Sequence, residues 1–142
     1  MLSNKLESEK TRGQFEQALI EYLSSQSVFS NSYDRLAEYL SEKSGREIDG
    51  RKINFLSRGD AYAKKWLIEC LLETALIHGW VPYSVEDWEN CIWVVTGKRQ
   101  SVFGGDNTRV YGKLADMSGK TEGVFDASYQ KMLRESNYGQ KI

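Results

Sequence analysis

The sequence predicts an α+β domain: an amino-terminal bundle of about four helices with a helix-turn-helix, then a small antiparallel β-hairpin or sheet and a short carboxy-terminal helix. Three observations predict it. Apolar residues recur at spacings of three and four as far as Gly79, the single proline, Pro82, marks a change of architecture, and beyond it runs such as CIWVVTGKR are rich in branched and aromatic residues. A chain of 142 residues lies in the common size range for one domain. A single unit is therefore expected, helical over 1–80 and built from the small sheet and terminal helix over 81–142.

Between residues 6 and 25, Phe15, Leu19, Ile20 and Leu23 form one apolar stripe on a helix that begins polar. Ser30, Asn31 and Ser32 offer capping oxygens before a second stripe of Tyr33, Leu36, Ala37 and Leu40, and Ser44-Gly45 supplies its stop. Asp49 then caps a short third helix that buries Ile53 and Leu56. After the Gly59-Asp60 break, AYAKKWLIECLLETALIHGW reads as the central helix, with Trp66, Leu67, Cys70, Leu71, Thr74 and Leu76 covering much of its circumference. Gly79 ends it, with His78 in the last turn.

Past Pro82, Ser84 and Asp87 are spaced to cap a brief helical turn through Trp88, and CIWVVTGKR is expected to be a strand. VFGGDNTRVYGKLAD reads as a loop, in which Gly104, Gly105, Asp106 and Asn107 permit positive backbone angles, followed by a second strand. Met117 to Gly123 reads as a turn. Ala127 to Arg134 is the expected terminal helix, docking through Tyr129, Met132 and Leu133.

A net charge of −1 conceals a block structure. Residues 1–42 carry four basic and seven acidic side chains, whereas residues 43–65 carry seven basic and three acidic. Residues 66–93 hold five acidic side chains and no lysine or arginine, and residues 94–113 hold four basic and one acidic. Two basic segments are thus available for a polyanion, or for pairing with the acidic blocks.

The stretch YDRLAEYLSEKSGREIDGRKINFLSR, residues 33–58, carries the main functional expectation. In a helix-turn-helix the second helix enters the major groove of DNA and the first braces it, so the second must be short, amphipathic and polar outward. With Ile53 inward, Arg51 and Lys52 are placed for phosphates or guanine edges and Asn54 for adenine. Arg46 in the turn and Arg58 beyond the helix bracket it with phosphate contacts. Ala37 and Gly45 stand eight residues apart, with Ser41 between them, so a longer brace helix and a wider turn are required. The competing reading is two ordinary packed helices whose exposed faces are basic.

Other constellations are poorer. Ser118, Gly119, Lys120 and Thr121 spell the end of a phosphate-binding loop, but its first glycine would fall at Leu114, and no helix-forming apolar run follows at once. His78 is the single histidine, and in a regular helix Cys70 is turned about 80 degrees away from it. Cys70 and Cys91 sit in apolar runs without the spacing of a metal or redox pair and are expected to be buried thiols. Carboxylates at Glu69 with Glu73 and Glu86 with Glu89 have the spacing of a solvated helix face. No enzyme, metal or cofactor is expected.

Trp80, Tyr83, Trp88, Trp93, Phe103 and Tyr111 interleave with Lys98, Arg99, Arg109 and Lys113, a pattern that suits single-stranded nucleic acid, a protein interface, or the core of a small sheet. The core is the favoured reading for Trp88 and Trp93, and Phe103 is the ring expected to be exposed. The function expected is a non-enzymatic, DNA-associated regulator or accessory protein, with Lys98, Arg99 and Arg109 as a second contact to duplex. The alternative is a small inhibitor, immunity or adaptor protein of a mobile element, meeting its partner through Glu86, Asp87 and Phe103. Two-fold reading of half-sites makes a homodimer compatible with the first, although no heptad appears. MLSNKLESEKTRGQ has no apolar signal region and no apolar run is long enough to span a bilayer, so a cytoplasmic location without membrane contact is expected.

Overall fold

The computed structural model describes residues 2–103 and 107–140, and side chains from 13 to 103 and from 107 to 136. Its described residues form seven helices and divide into two compact units, residues 1–78 and 79–142. Among them there is no strand, which corrects the predicted α+β class to all-α.

The first unit holds α1 (Leu2–Ser24), α2 (Tyr33–Ser44), α3 (Gly50–Ser57) and α4 (Lys65–Ile77). Helix α1 packs on α3 and α4, and α2 packs on both of them too. The stripe of α1 is fully buried at Leu19, Ile20 and Leu23, where it meets a core containing Leu36, Leu40, Ile53, Ile68 and Leu71. Between α1 and α2 the chain reverses through Ser30 and Asn31, both in the left-handed region at φ 49° and 57°. The Asn31 N–H donates to Ser24 O at 2.8 Å and holds this reversal closed. Phe29 is buried by the same turn, with ring centroids 5.4 Å from Tyr39 and 5.3 Å from His78.

Caps set the boundaries of the middle helices. The Ser32 hydroxyl accepts from Arg35 N at 3.2 Å to start α2, and Gly45, at φ 70°, ends it. Asp49 accepts from Lys52 N at 2.8 Å to start α3. Helix α4 buries Leu67, Ile68, Cys70, Leu71, Leu72, Thr74, Ala75 and Leu76, the nearly all-round pattern of a central helix. The segment leading into it is fastened by Glu16, a buried carboxylate on α1 that accepts from Ala63 N at 2.9 Å.

The second unit holds α5 (Val85–Thr96), α6 (Thr108–Ser118) and α7 (Glu122–Gln140). Both predicted strands are helical here. CIWVVT forms the second half of α5, because a capping box starts that helix: Asp87 N donates to Ser84 Oγ at 3.1 Å while Asp87 Oδ2 accepts from Ser84 N at 3.2 Å. Gly97, at φ 80°, closes it with an N–H donated to Trp93 O at 2.8 Å. Branched residues disfavour a helix by only about 0.5 kcal/mol each, which two good caps and full burial of Trp88, Cys91 and Ile92 outweigh. The second predicted strand lies in α6, where buried Val110, Tyr111, Leu114 and Ala115 form a helical stripe. The expected terminal helix is the middle of the 19-residue α7, and the expected turn at Met117 to Gly123 shrinks to the link between α6 and α7.

The core of this unit is an aromatic cluster. Trp88, Tyr111 and Tyr129 meet edge-on with centroid separations of 5.9, 5.0 and 5.5 Å. Tyr129 donates its hydroxyl proton to Val102 O and accepts from Asn107 Nδ2 at 2.8 Å, so one ring ties the middle and the end of the loop between α5 and α6. Gly104, Gly105 and Asp106, read from sequence as positive-angle positions, lie outside the described residues.

Candidate nucleic-acid interface

Helices α2 and α3 are joined by residues 45–49, a wider link than the three or four residues of a compact helix-turn-helix. Ser41 organises this link. Its Oγ accepts from Ile48 N at 3.0 Å and lies 2.8 Å from both Ala37 O and Ile48 O, so one hydroxyl ties the last turn of α2 to the residue before the Asp49 cap. Gly50 makes the approach between the starts of α2 and α3 possible: a β-carbon there would lie 2.0 Å from Asp34 Oδ1 and 3.2 Å from Asp34 N.

The register of α3 follows from this anchoring. Ile53 and Leu56 are buried at 0% and 1% exposure, Arg51 and Lys52 are exposed, and Asn54 is half-buried. Arg46, in the link, has its guanidinium carbon 4.6 Å from the centre of the Trp66 ring at the start of α4. A groove of about 390 Å³ lies between these elements, lined by Lys52, Lys64 and Trp66 together with Glu47, Ile48, Asp49 and Leu67. The structure therefore places Lys52 in the groove lined by Trp66, the ring on which Arg46 lies, with Arg51 exposed in the same first turn of α3.

Arg58 stands apart from that group. It ends α3, pairs with Asp60 at 3.1 Å and lies 5.5 Å from the Phe55 ring centre, so its charge is already matched. Lys43 is likewise matched, by Glu73 of α4 at 3.2 Å. Lys64 and Trp66 are the residues that sequence reasoning missed. Lys64 and Lys65 fall within the basic block of residues 43–65, but they also begin the run of the central helix, which separates them in sequence from the turn.

Lys98, Arg99 and Arg109 all belong to the second unit. Arg99 donates to Asn90 Oδ1 at 2.8 Å and lies 4.6 Å from the half-buried Trp93 ring, a structural placement. Lys98 is exposed after α5. Arg109, on the first turn of α6, lines a groove of about 410 Å³ with Lys113, Gln100 and Asn107.

The residues expected at a protein interface have separate roles. Asp87 is committed to capping, since its Oδ2 also accepts from Tyr83 N at 3.0 Å. Glu86 is exposed beside Glu89, whose carboxyl is raised above its ordinary value by burial first and by Glu86 second, with Arg99 opposing. Phe103 is 50% exposed, as its loop position predicts, yet Tyr83 is more so at 59%.

Burial pushes the Cys70 thiol up, against the pull of Lys43, and pushes Cys91 up further. His78 Nδ1 lies 2.8 Å from Thr74 O in its own helix. Gly119 of the SGKT run caps α6 at φ 72°, and α7 does follow closely, contrary to the sequence reading. Position 114 remains a buried leucine. Among the described residues no cluster of three or more His, Cys, Asp or Glu side chains is placed to hold a metal, and no helix is long and apolar enough to cross a membrane. No protein family, curated protein or solved structure matches the chain.

Proposed function

We propose that the chain is a duplex-DNA-associated protein, a regulator or accessory factor, that engages DNA through α2, the 45–49 link and α3. One observation carries this reading: α3 turns Ile53 and Leu56 into the core while Arg51 and Lys52 face solvent. This is the amphipathic division that a groove-entering helix needs. The capping of α3 by Asp49 also leaves that carboxylate occupied by a backbone N–H, which blunts its opposition to a phosphate.

The α3 helix is short, eight residues, so few side chains reach base edges, and affinity rests mainly on phosphate contacts. Arg51→Ala with Lys52→Ala tests the reading by fluorescence anisotropy on a labelled duplex. The expected result is loss of binding with unchanged helical circular dichroism, because both side chains are exposed. Unchanged affinity in that double variant overturns the role given to α3.

A further inference from the structure

We propose that the groove between the start of α3 and the start of α4 seats a phosphodiester of the nucleic-acid backbone, extending the binding surface from the helix-turn-helix onto α4. The proposal rests on the duplex-binding reading and adds a contact that reading does not require. Three cations from separate parts of the chain converge on it: Lys52 of α3 and Lys64 before α4 line the groove, and Arg46 is held 4.6 Å above the Trp66 ring, which lines it too. A guanidinium stacked on a ring keeps its N–H edge available for an anion, which is the arrangement of a preorganised phosphate contact.

The polar groups around these cations favour an incoming acceptor. The Trp66 indole nitrogen exposes less than 1 Å², so the ring serves the groove as a platform beneath Arg46 and not as a donor. Helix α4 starts without a side-chain cap and without an acidic residue in its first turn, so the positive end of its dipole adds to the same local potential. Two carboxylates also line the groove. Asp49 is engaged in capping α3, and Glu47 is exposed. A phosphodiester carries the single negative charge and multiple acceptor oxygens that these groups can share.

Lys64→Ala and Lys131→Ala are compared on the full chain, by anisotropy with a labelled duplex across a salt series. Lys131 is in the second unit, near the Tyr83 ring, and its loss changes the net charge by the same amount. The seat predicts that Lys64→Ala reduces the log–log salt slope by about 0.9, one phosphate contact, while Lys131→Ala leaves it unchanged. Trp66→Ala, which removes the ring beneath Arg46, is expected to weaken binding with helical content preserved. Wild-type binding with Lys64→Ala indistinguishable from Lys131→Ala overturns the seat and leaves the α3 reading standing. Absence of wild-type binding at low salt overturns that reading, and the seat with it.

Discussion

Replacement of Ser41 by alanine tests whether one hydroxyl fixes the geometry of the α2–α3 link. The Ser41 hydroxyl accepts from Ile48 N at 3.0 Å and, having one proton, donates to Ala37 O or Ile48 O, each 2.8 Å away. Ile48 is only 8% exposed, so water does not readily replace the lost acceptor. Two hydrogen bonds at about 1 kcal/mol each come to about 2 kcal/mol, from which alanine's better helix propensity recovers roughly 0.5. A net loss of about 1.5 kcal/mol lowers the melting temperature of a unit this size by roughly 6 to 12 °C. Circular dichroism melts give that shift, and amide hydrogen exchange locates it, with the Ile48 N–H expected to exchange about tenfold faster. Ser44→Ala, which removes only the exposed contacts with Arg46 N at 3.1 Å and Arg46 O at 3.5 Å, is the control and should change little. A Ser41→Ala melt within a degree of wild type, with Ile48 exchange unaltered, refutes the anchoring role.

Two further substitutions probe each unit separately. Gly50→Ala displaces the exposed Asp34 carboxylate and places a β-carbon 3.2 Å from Asp34 N, and is expected to cost about 1 kcal/mol by chemical denaturation; a neutral result would mean that the α2 backbone gives way without penalty. Glu89→Gln addresses pH dependence. A carboxyl raised in the folded state destabilises as pH climbs through the range from its unfolded to its folded value, and below both values the penalty is absent. The variant should therefore melt about 1 to 3 °C above wild type at neutral pH, a modest relief of burial first and of repulsion by Glu86 second at a half-buried site. That difference should vanish well below the ordinary value of 4.5. An advantage that persists at low pH would assign the effect to something other than ionisation.

The elements that were legible in the sequence carry local stop and start chemistry. Ser32, Gly45 and Asp49 sit where helix boundaries need an oxygen or a left-handed residue, and they bound α2 and α3 in the structure. The second unit misled because its cues conflict. Ile92, Trp93, Val94 and Val95 have strand propensity, and the Ser84 and Asp87 spacing that was read as one brief turn in fact starts a complete α5. In α6, the Val110, Tyr111, Leu114 and Ala115 stripe has helical period, but the glycines ahead of it invited a hairpin. Burial of Trp88 against Tyr111 and Tyr129 decides the matter, and that contact spans too much sequence for a local pattern to register.

For the site, the exposed Arg46, Arg51 and Lys52 were readable from helical phase once Ile53 was assigned inward. The pairing of Arg58 with Asp60 and the capping duty of Asp87 were not, since charge alone does not distinguish a free side chain from an engaged one. Lys64 and Trp66 reach the same groove as Lys52 only through the packing that returns α4 beside the link. Their place was visible in the charge block and invisible in the helix assignment.

The salt dependence of duplex binding by the wild-type chain tests the central claim most directly. With Arg51 meeting one phosphate and Arg46, Lys52 and Lys64 sharing another, log affinity against log salt should fall with a slope of about −1.8, and the Arg51→Ala, Lys52→Ala variant should lose binding. No binding at low salt, or a slope that the double variant leaves unchanged, would contradict it.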